Sequence, residues 1–415
     1  MGDRTFHRAY VKASPVPGAG AMQFDVVIVG GGPVGLAFAG SLSGTGLRVA
    51  VVEPQPREAL AAPAFDGREI ALTHRSQDTL RQIGAWDRIP EEIPSDLREA
   101  RVLNGGSPYA LRFDTSGRQA EVLGKLVPNH IIRRAVFEAL PEGVTLLAGH
   151  RVVALETDAE GARLALADGQ RIAAKLVVGA DSRFSTLRRL AGIEAETLDF
   201  GKAMLVARLR HSLPHDHVAT EWFDYGQTMA MLPLNGDVSS VVLTLPPEEI
   251  ARLKEADGAE FSAEITRRYR ERLGAMELIS TRHTYPLVSV YARRFAGRRL
   301  ALLGDAAVGM HPVTAHGFNF GLHGQEILAR RIKAALSEGR DFGAGPVLRG
   351  YEAEHRQATR GLYLATNATA LLYTSDRLPA RVLRGAALRL GNHLRPVRGA
   401  IVSRLMEEDG AGARA

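Results

Sequence analysis

Residues 24–29 (FDVVIV) form a short run of apolar and β-branched side chains, the pattern of a parallel strand buried on both faces. Glycines at 30–35 (GGGPVG) break the run, and small apolar residues at 36–42 then predict a helix. A second strand is expected at 48–53. Strand, glycine turn, helix and strand fit within roughly 30 residues, the size of one βαβ unit. Polar sequence with helical spacing at 77–86 leads into β-rich stretches at 144–155, 163–167 and 176–179. Strands are expected again at 203–209, 228–234 and 239–245. The turn signals between them, Asp224 with Gly226 and Asn235-Gly236, suggest an antiparallel sheet. Helical patterning covers 248–255 and 263–273, a buried strand returns at 299–303, and a long helix follows from about 318 to 336. Everything beyond Tyr351 reads as helix, broken near Pro379 and Pro396.

This order predicts a mixed α/β fold. A Rossmann-like dinucleotide-binding domain is assembled from 22–190 and 286–345, with a β-sheet domain at 191–285 inserted into it and helices over 346–415. Residues 1–21 precede the first strand, carry Pro15, Pro17 and Gly18, and are expected to be a disordered tail. They have no apolar core of the kind a cleaved secretory signal needs.

Composition narrows the chemistry. The 415 residues contain no cysteine, which removes disulfides, cysteine-ligated metals and a cysteine nucleophile together. No metal site is expected, and the absence of cysteine fits a reducing, cytoplasmic compartment. The net charge of +6 is moderately basic. No basic and aromatic residues cluster along one groove-facing element in the first three quarters of the chain, so nucleic acid is not an expected partner. No apolar run reaches the ~18 residues of a membrane span. Seven arginines and no acid lie between 377 and 404, among leucines and valines. That stretch has the pattern of a basic amphipathic helix suited to an anionic membrane surface or to a partner in a complex.

The glycine loop is the strongest candidate site. Gly30 permits the tight turn, Gly32 lets a pyrophosphate approach bare backbone, Pro33 opens the helix, and Gly35 lets helix and strand pack closely. The phosphates then meet free N–H groups at a helix N-terminus, worth about half a positive charge. Glu53, eighteen residues past Gly35, ends the next strand, where a carboxylate can accept the two hydroxyls of an adenosine ribose. These residues fit NAD or FAD equally. Two later segments distinguish them: LVVGADSRFSTLR at 176–188, with Asp181 in an acidic turn and Ser182 or Ser185 as the helix cap, and RLALLGDAAVGMHPVTAHGFNFG at 299–321. Asp305 at a strand end can bind hydroxyls of a polyol chain, and the 312–317 loop offers backbone N–H groups to an anion. A ribityl chain leading to a flavin supplies both.

Taken jointly, GGGPVG, GADSxxSxxR and GDAAxxxHPxxxxGxNxGL resemble the group A flavoprotein monooxygenases, the fold of p-hydroxybenzoate hydroxylase. The segment Asp66-Gly67-Arg68, Ala71-Leu72-Thr73, Ser76, Leu80 and Gly84-Ala85-Trp86 is similar to the ubiquinone-biosynthesis hydroxylases. So are Leu123-Gly124 through Asn129 to Arg133, Tyr285-Pro286-Leu287 and Tyr351. The resemblance implies that Gly30, Gly32, Gly35 and Glu53 hold the ADP half of FAD and that Arg68 and Arg133 contact the cofactor. It places Asp181 near the pyrophosphate, Asp305 on the ribityl chain, and Pro312, Gly317, Phe318 and Asn319 along the isoalloxazine ring. It also implies NADH or NADPH as a transient reductant, because no second GxGxxG occurs, and oxygen transfer from a flavin C4a-hydroperoxide to a phenolic polyprenyl ring. Pro312 and His316 are the candidates nearest the chemistry, and His311 is a weaker one. Tyr225, Tyr285 and the strand with Met229 and Met231 are expected to line a substrate pocket.

The sequence departs from the family where His is usual at Val308, where GQG is usual at Ala315-His316-Gly317, where Asp is usual at Gly324, and at Pro128-Asn129-His130. The changes at Val308 and 315–316 resemble the UbiM-type branch, and they bear on which ring carbon is attacked rather than on FAD. Three other readings share the glycine loop: a hydroxylase of another aromatic compound, an isoprenoid double-bond reductase, and a lipid-binding protein without flavin. A halogenase is disfavoured, because the only tryptophans are Trp86 and Trp222 and no WxWxIP is present.

Overall fold

The computed structural model describes residues 21–374, apart from 108, 117–119, 225 and 315. The 1–21 segment up to Gly20, the arginine-rich 377–404 segment, Tyr225 and Ala315 therefore lie outside the described residues.

The first strand, Met22–Val29, lies at the centre of a sheet because its residues 26–29 are apolar on both faces and almost wholly buried. It pairs in parallel with Arg171–Gly179 on one side and Val49–Glu53 on the other. Thr145–Ala148 and Leu300–Leu302 extend the parallel array outward. Strands far apart in sequence thus meet side by side, and their C-terminal ends collect Gly30, Glu53, Asp181 and Gly304 along one edge. Open parallel sheets bind their ligands at this edge. Helices Pro33–Ser41, Asn129–Glu138 and Gly317–Ser337 contribute buried apolar residues to the core around this sheet.

A second, larger sheet is built around Ala195–His211, whose neighbours are His283–Ala292 and Val238–Leu245. Gln227–Pro233 and Val218–Asp224 continue it in antiparallel fashion. The strands expected at 203–209, 228–234 and 239–245 do pair antiparallel, and the sheet extends beyond them in two respects. Glu99–Asn104 joins in parallel to Val218–Asp224 and brings its hairpin partner Ala110–Asp114 with it. His283–Ala292 also carries the sheet past residue 285. Helices Pro247–Glu255 and Gly258–Arg268 cover one face, where Ile250, Leu253, Phe261 and Ile265 pack on Leu205, Leu209, Met229 and Leu243. The other face lines a cavity.

The Gly345–Thr374 helix returns across both sheets. Tyr351 is wholly buried and donates its hydroxyl to the Leu302 carbonyl at 2.5 Å, which ties the helix to the parallel sheet. Gly324 has a local physical reason. A Cβ there would stand 2.7 Å from Nε2 of His355, so the histidine on the returning helix occupies the space that the family's aspartate would need. Burial depresses the His355 pKa to about 3 and keeps the ring neutral.

Candidate flavin site and substrate cavity

The glycine turn has the geometry its sequence requires. Gly30 has φ +114°, and a Cβ on it would lie 2.3 Å from the Ala180 carbonyl oxygen. A Cβ on Gly35 would lie 2.1 Å from the Gly30 carbonyl oxygen, so strand and helix touch backbone to backbone. Gly32 differs from both. Its backbone is extended (φ −70°, ψ 171°), and a Cβ on it would meet no protein atom within 4 Å. Bare backbone at the helix N-terminus therefore faces open space, with Pro33 at the first helical position.

Glu53 accepts a 2.7 Å hydrogen bond from the Gly31 amide and a 2.9 Å bond from the Gln55 amide. Both fix its carboxylate beside the turn. Asp181 accepts from the Ser185 hydroxyl and the Leu187 amide, and the Ser185 oxygen in turn caps its helix by accepting from the Arg188 amide. Of the two caps expected there, Ser185 is the one used. Ser182 instead adopts a left-handed backbone, φ 92°.

Asp305 follows the Leu300–Leu302 strand and is bound by Arg183, whose Nη2 and Nε lie 2.9 and 3.2 Å from the same oxygen, Oδ2. A further bond from Arg183 to the Val288 carbonyl, 2.8 Å, links this group to the second sheet. Sequence reasoning passed over Arg183 because it occupies a variable position inside the GADSxxS pattern. Arg68 pairs with Asp66 at 2.6 Å, and Asn129 donates to the same carboxylate at 2.7 Å, which holds that carboxyl below its usual range against the opposing effect of burial. Arg133 donates to Gln55 at 3.3 Å.

Asn319 uses its side chain structurally. Its carboxamide accepts from the Thr73 amide and donates to the Ala71 carbonyl, so it clamps the start of the long helix to the Asp66–Thr73 region. His316 is buried at the N-cap of that helix. His311 is buried as well. Its Nδ1 accepts from the Val313 amide, and burial with the nearby Arg183 charge lowers its pKa to about 4, so the ring is neutral.

A single cavity of about 1500 Å³ joins these groups. Gly30, Gly32, Pro33, Glu53, Arg68, Arg133, Asp181, Asp305, Pro312, His316, Gly317, Phe318 and Asn319 all line it, whereas Gly35 lies behind the turn. From there the cavity continues under the second sheet. Tyr285 lines it as expected, but Met229 and Met231 do not: they are buried on the helix-covered face. Thr228 and Ala230, one position out of phase, form the wall instead. Beyond them the wall is apolar, with Leu111, Phe113, Leu123 and Phe223 in one buried cluster and Leu372 packed against it.

A glycine turn open to phosphate, an acid at the next strand end and a second acid at the end of a third strand define an FAD-binding oxidoreductase with a substrate chamber beside the cofactor. The family profile described as an FAD binding domain matches residues 23–363. Ubiquinone hydroxylase UbiM of Neisseria meningitidis is 42% identical over 391 residues, covering 93% of this chain and 85% of that protein. Ubiquinone hydroxylase UbiL of Rhodospirillum rubrum is 38% identical, covering 91% and 89%. Among solved structures, the OxyS anhydrotetracycline hydroxylase of Streptomyces rimosus superposes with a TM-score of 0.70 at 25% identity, covering 94% of this chain and 76% of that one. The chain belongs to this family of FAD-dependent monooxygenases, with the p-hydroxybenzoate hydroxylase type of fold. FAD is its cofactor, and NAD(P)H is the reductant typical of the family.

Proposed function

We propose that this enzyme hydroxylates the phenolic ring of a polyprenyl intermediate in ubiquinone biosynthesis. The observation that carries this reading is the continuity of the cavity, from the polar cradle at Gly32 and Asp305 to an apolar recess at Leu111, Phe113 and Leu123. A ring with a long hydrocarbon tail matches that division between polar and apolar walls. The names of the UbiM and UbiL relatives support the same substrate class.

In this reading Gly30, Gly32, Pro33 and Glu53 hold the ADP half of FAD, and Gly35 serves it indirectly by letting the helix pack close behind the turn. Asp181 lies by the pyrophosphate, Asp305 binds the ribityl hydroxyls, and Arg68 and Arg133 contact the cofactor. Pro312, Gly317, Phe318 and Asn319 form the wall along the isoalloxazine ring, and His316 and Pro312 border the place where ring and substrate meet. Bound there, FAD supplies the redox chemistry that activates O₂ with electrons from NAD(P)H. The chain's own part is to position the substrate, exclude water and stabilise charge. The apolar walls perform the second of these tasks, and the 312–317 loop with its helix N-terminus performs the third.

Among the described residues no helix is long and apolar enough to cross a membrane. The arginine-rich 377–404 segment, on its sequence alone, is assigned to the surface of an anionic membrane, from which a lipophilic substrate is drawn. Cells lacking the gene are expected to accumulate a ubiquinone precursor short of one ring hydroxyl, seen by mass spectrometry of lipid extracts. An unchanged quinone profile in such cells would point to a different aromatic substrate.

A further inference from the structure

Glu221 is an acid in the wrong surroundings. It lies on the Val218–Asp224 strand, and its side chain lines the cavity together with Ala219 and Phe223, the residues two positions away on the same face. Across the sheet its direct neighbours are Ala230 on one side and Val102 on the other. Among the described residues its carboxyl has no hydrogen bond or ion pair. The residue is half-buried and lines the cavity.

The register shows where along the cavity it stands. Val206, Val242, Ala230, Glu221 and Val102 form one row across five strands. Val206 abuts the turn before Arg68, since a Cβ on Gly67 would come within 2.8 Å of it. Glu221 is three strands away, about 14 Å at the usual ~4.8 Å between strands. Its same-strand neighbour Phe223 already belongs to the apolar recess, and Val102 packs against it. The carboxyl therefore stands on an otherwise apolar row, between the Arg68 turn and the start of the recess.

We propose that Glu221 is a substrate-binding residue whose carboxyl hydrogen-bonds a ring oxygen of the aromatic substrate while the hydrocarbon tail enters the recess beyond it. This rests on the ubiquinone-pathway reading above. A hydrocarbon tail offers the carboxyl no partner, whereas a phenol or methoxy oxygen does. An unpaired polar group on an apolar wall is costly to keep for packing alone. Burial pushes the Glu221 pKa up to about 8, and no charged group contributes to the shift. Its cross-strand neighbours Val102 and Ala230, and Leu362, Thr366 and Thr369, which line the same cavity from the Gly345–Thr374 helix, are not titratable, and Arg101, which lines the cavity from the neighbouring strand, is paired with Glu99. At neutral pH the group is therefore mainly a neutral carboxylic acid, able to donate as well as accept.

The test compares Glu221→Leu and Glu221→Gln with wild type, all loaded with FAD, using a short-chain 2-prenylphenol as probe. Probe binding is followed by the flavin difference spectrum, and turnover by hydroxylated product per NAD(P)H oxidised. Glu221→Leu is expected to keep its flavin, to lose about ten- to a hundred-fold in kcat/KM, and to release more of its reducing equivalents as peroxide. Glu221→Gln, which keeps a donor and an acceptor, restores most of the loss. The sign of the pH effect follows from the raised pKa. The donor is present below about 8 and lost above it, so wild-type kcat/KM falls as pH rises through about 8 and the Gln variant shows no such fall. Wild-type affinity and coupling in the Leu variant, or the same alkaline fall in the Gln variant, would overturn the role of Glu221 alone. Flavin-loaded wild type that neither binds nor hydroxylates any prenylphenol would overturn the substrate reading, and this inference with it.

Discussion

Gly32→Val is expected to give a folded protein that no longer retains flavin. The backbone at Gly32 is extended, a conformation that valine adopts readily, and a Cβ there meets no protein atom within 4 Å. Folding therefore has little reason to suffer. The same empty space is what a pyrophosphate needs to reach the N–H groups at the start of the Pro33–Ser41 helix, and a branched side chain fills it. FAD affinity should fall by roughly two orders of magnitude or more, read from the yellow absorbance of the purified protein and from titration of the apoprotein. Gly30→Ala provides the contrast. There the Cβ would strike the Ala180 carbonyl oxygen at 2.3 Å from a backbone at φ +114°, so flavin loss should come with a lower melting temperature. A Gly32→Val protein that purifies with a full complement of FAD would contradict this account of the turn.

Asp305→Ala carries the second large effect. Both Arg183 contacts converge on Oδ2, and among the described residues Oδ1 has no partner. Asp305 also lines the cavity, and in the proposed reading its carboxylate accepts from ribityl hydroxyls. Loss of a charge-assisted bond costs about 1.5–3 kcal/mol, or roughly ten- to a hundred-fold in FAD affinity. Arg183 remains anchored to the Val288 carbonyl, so the two sheets should keep their join and circular dichroism should not change. Unaltered FAD affinity in this variant would mean that Asp305 serves only as the partner of Arg183.

Much of the parallel sheet and its turn was readable because its signals are local. A buried β-branched run, three glycines with distinct duties and an acid at a fixed offset all lie within residues 24–53. The second sheet was read less well, for a physical reason. Both of its faces are covered, one by helices and one by the cavity, so Met229 and Met231 look as suitable for a pocket as Thr228 and Ala230 do. Alternation gives the period but not the phase when both faces are apolar. Nor could the parallel join of Glu99–Asn104 to Val218–Asp224 be seen, since two strands of the parallel sheet, Thr145–Ala148 and Arg171–Gly179, lie between the two segments in sequence. Glu221 had a signal that went unused: it is a charged residue on the cavity side of a strand whose neighbours on that face are Ala219 and Phe223. Asn319 was assigned to the flavin wall by resemblance, and its carboxamide is engaged with the Ala71–Thr73 backbone, a contact across 246 residues for its Thr73 bond that no spacing rule reveals.

The most direct test of the central claim is turnover of a 2-polyprenylphenol by the FAD-loaded protein under isotopically labelled O₂, with NAD(P)H as reductant. One labelled oxygen atom in a new ring hydroxyl, formed in step with NAD(P)H consumption, is the predicted result. NAD(P)H consumed with a reduced double bond in the prenyl chain, or with no label entering the ring, would contradict it.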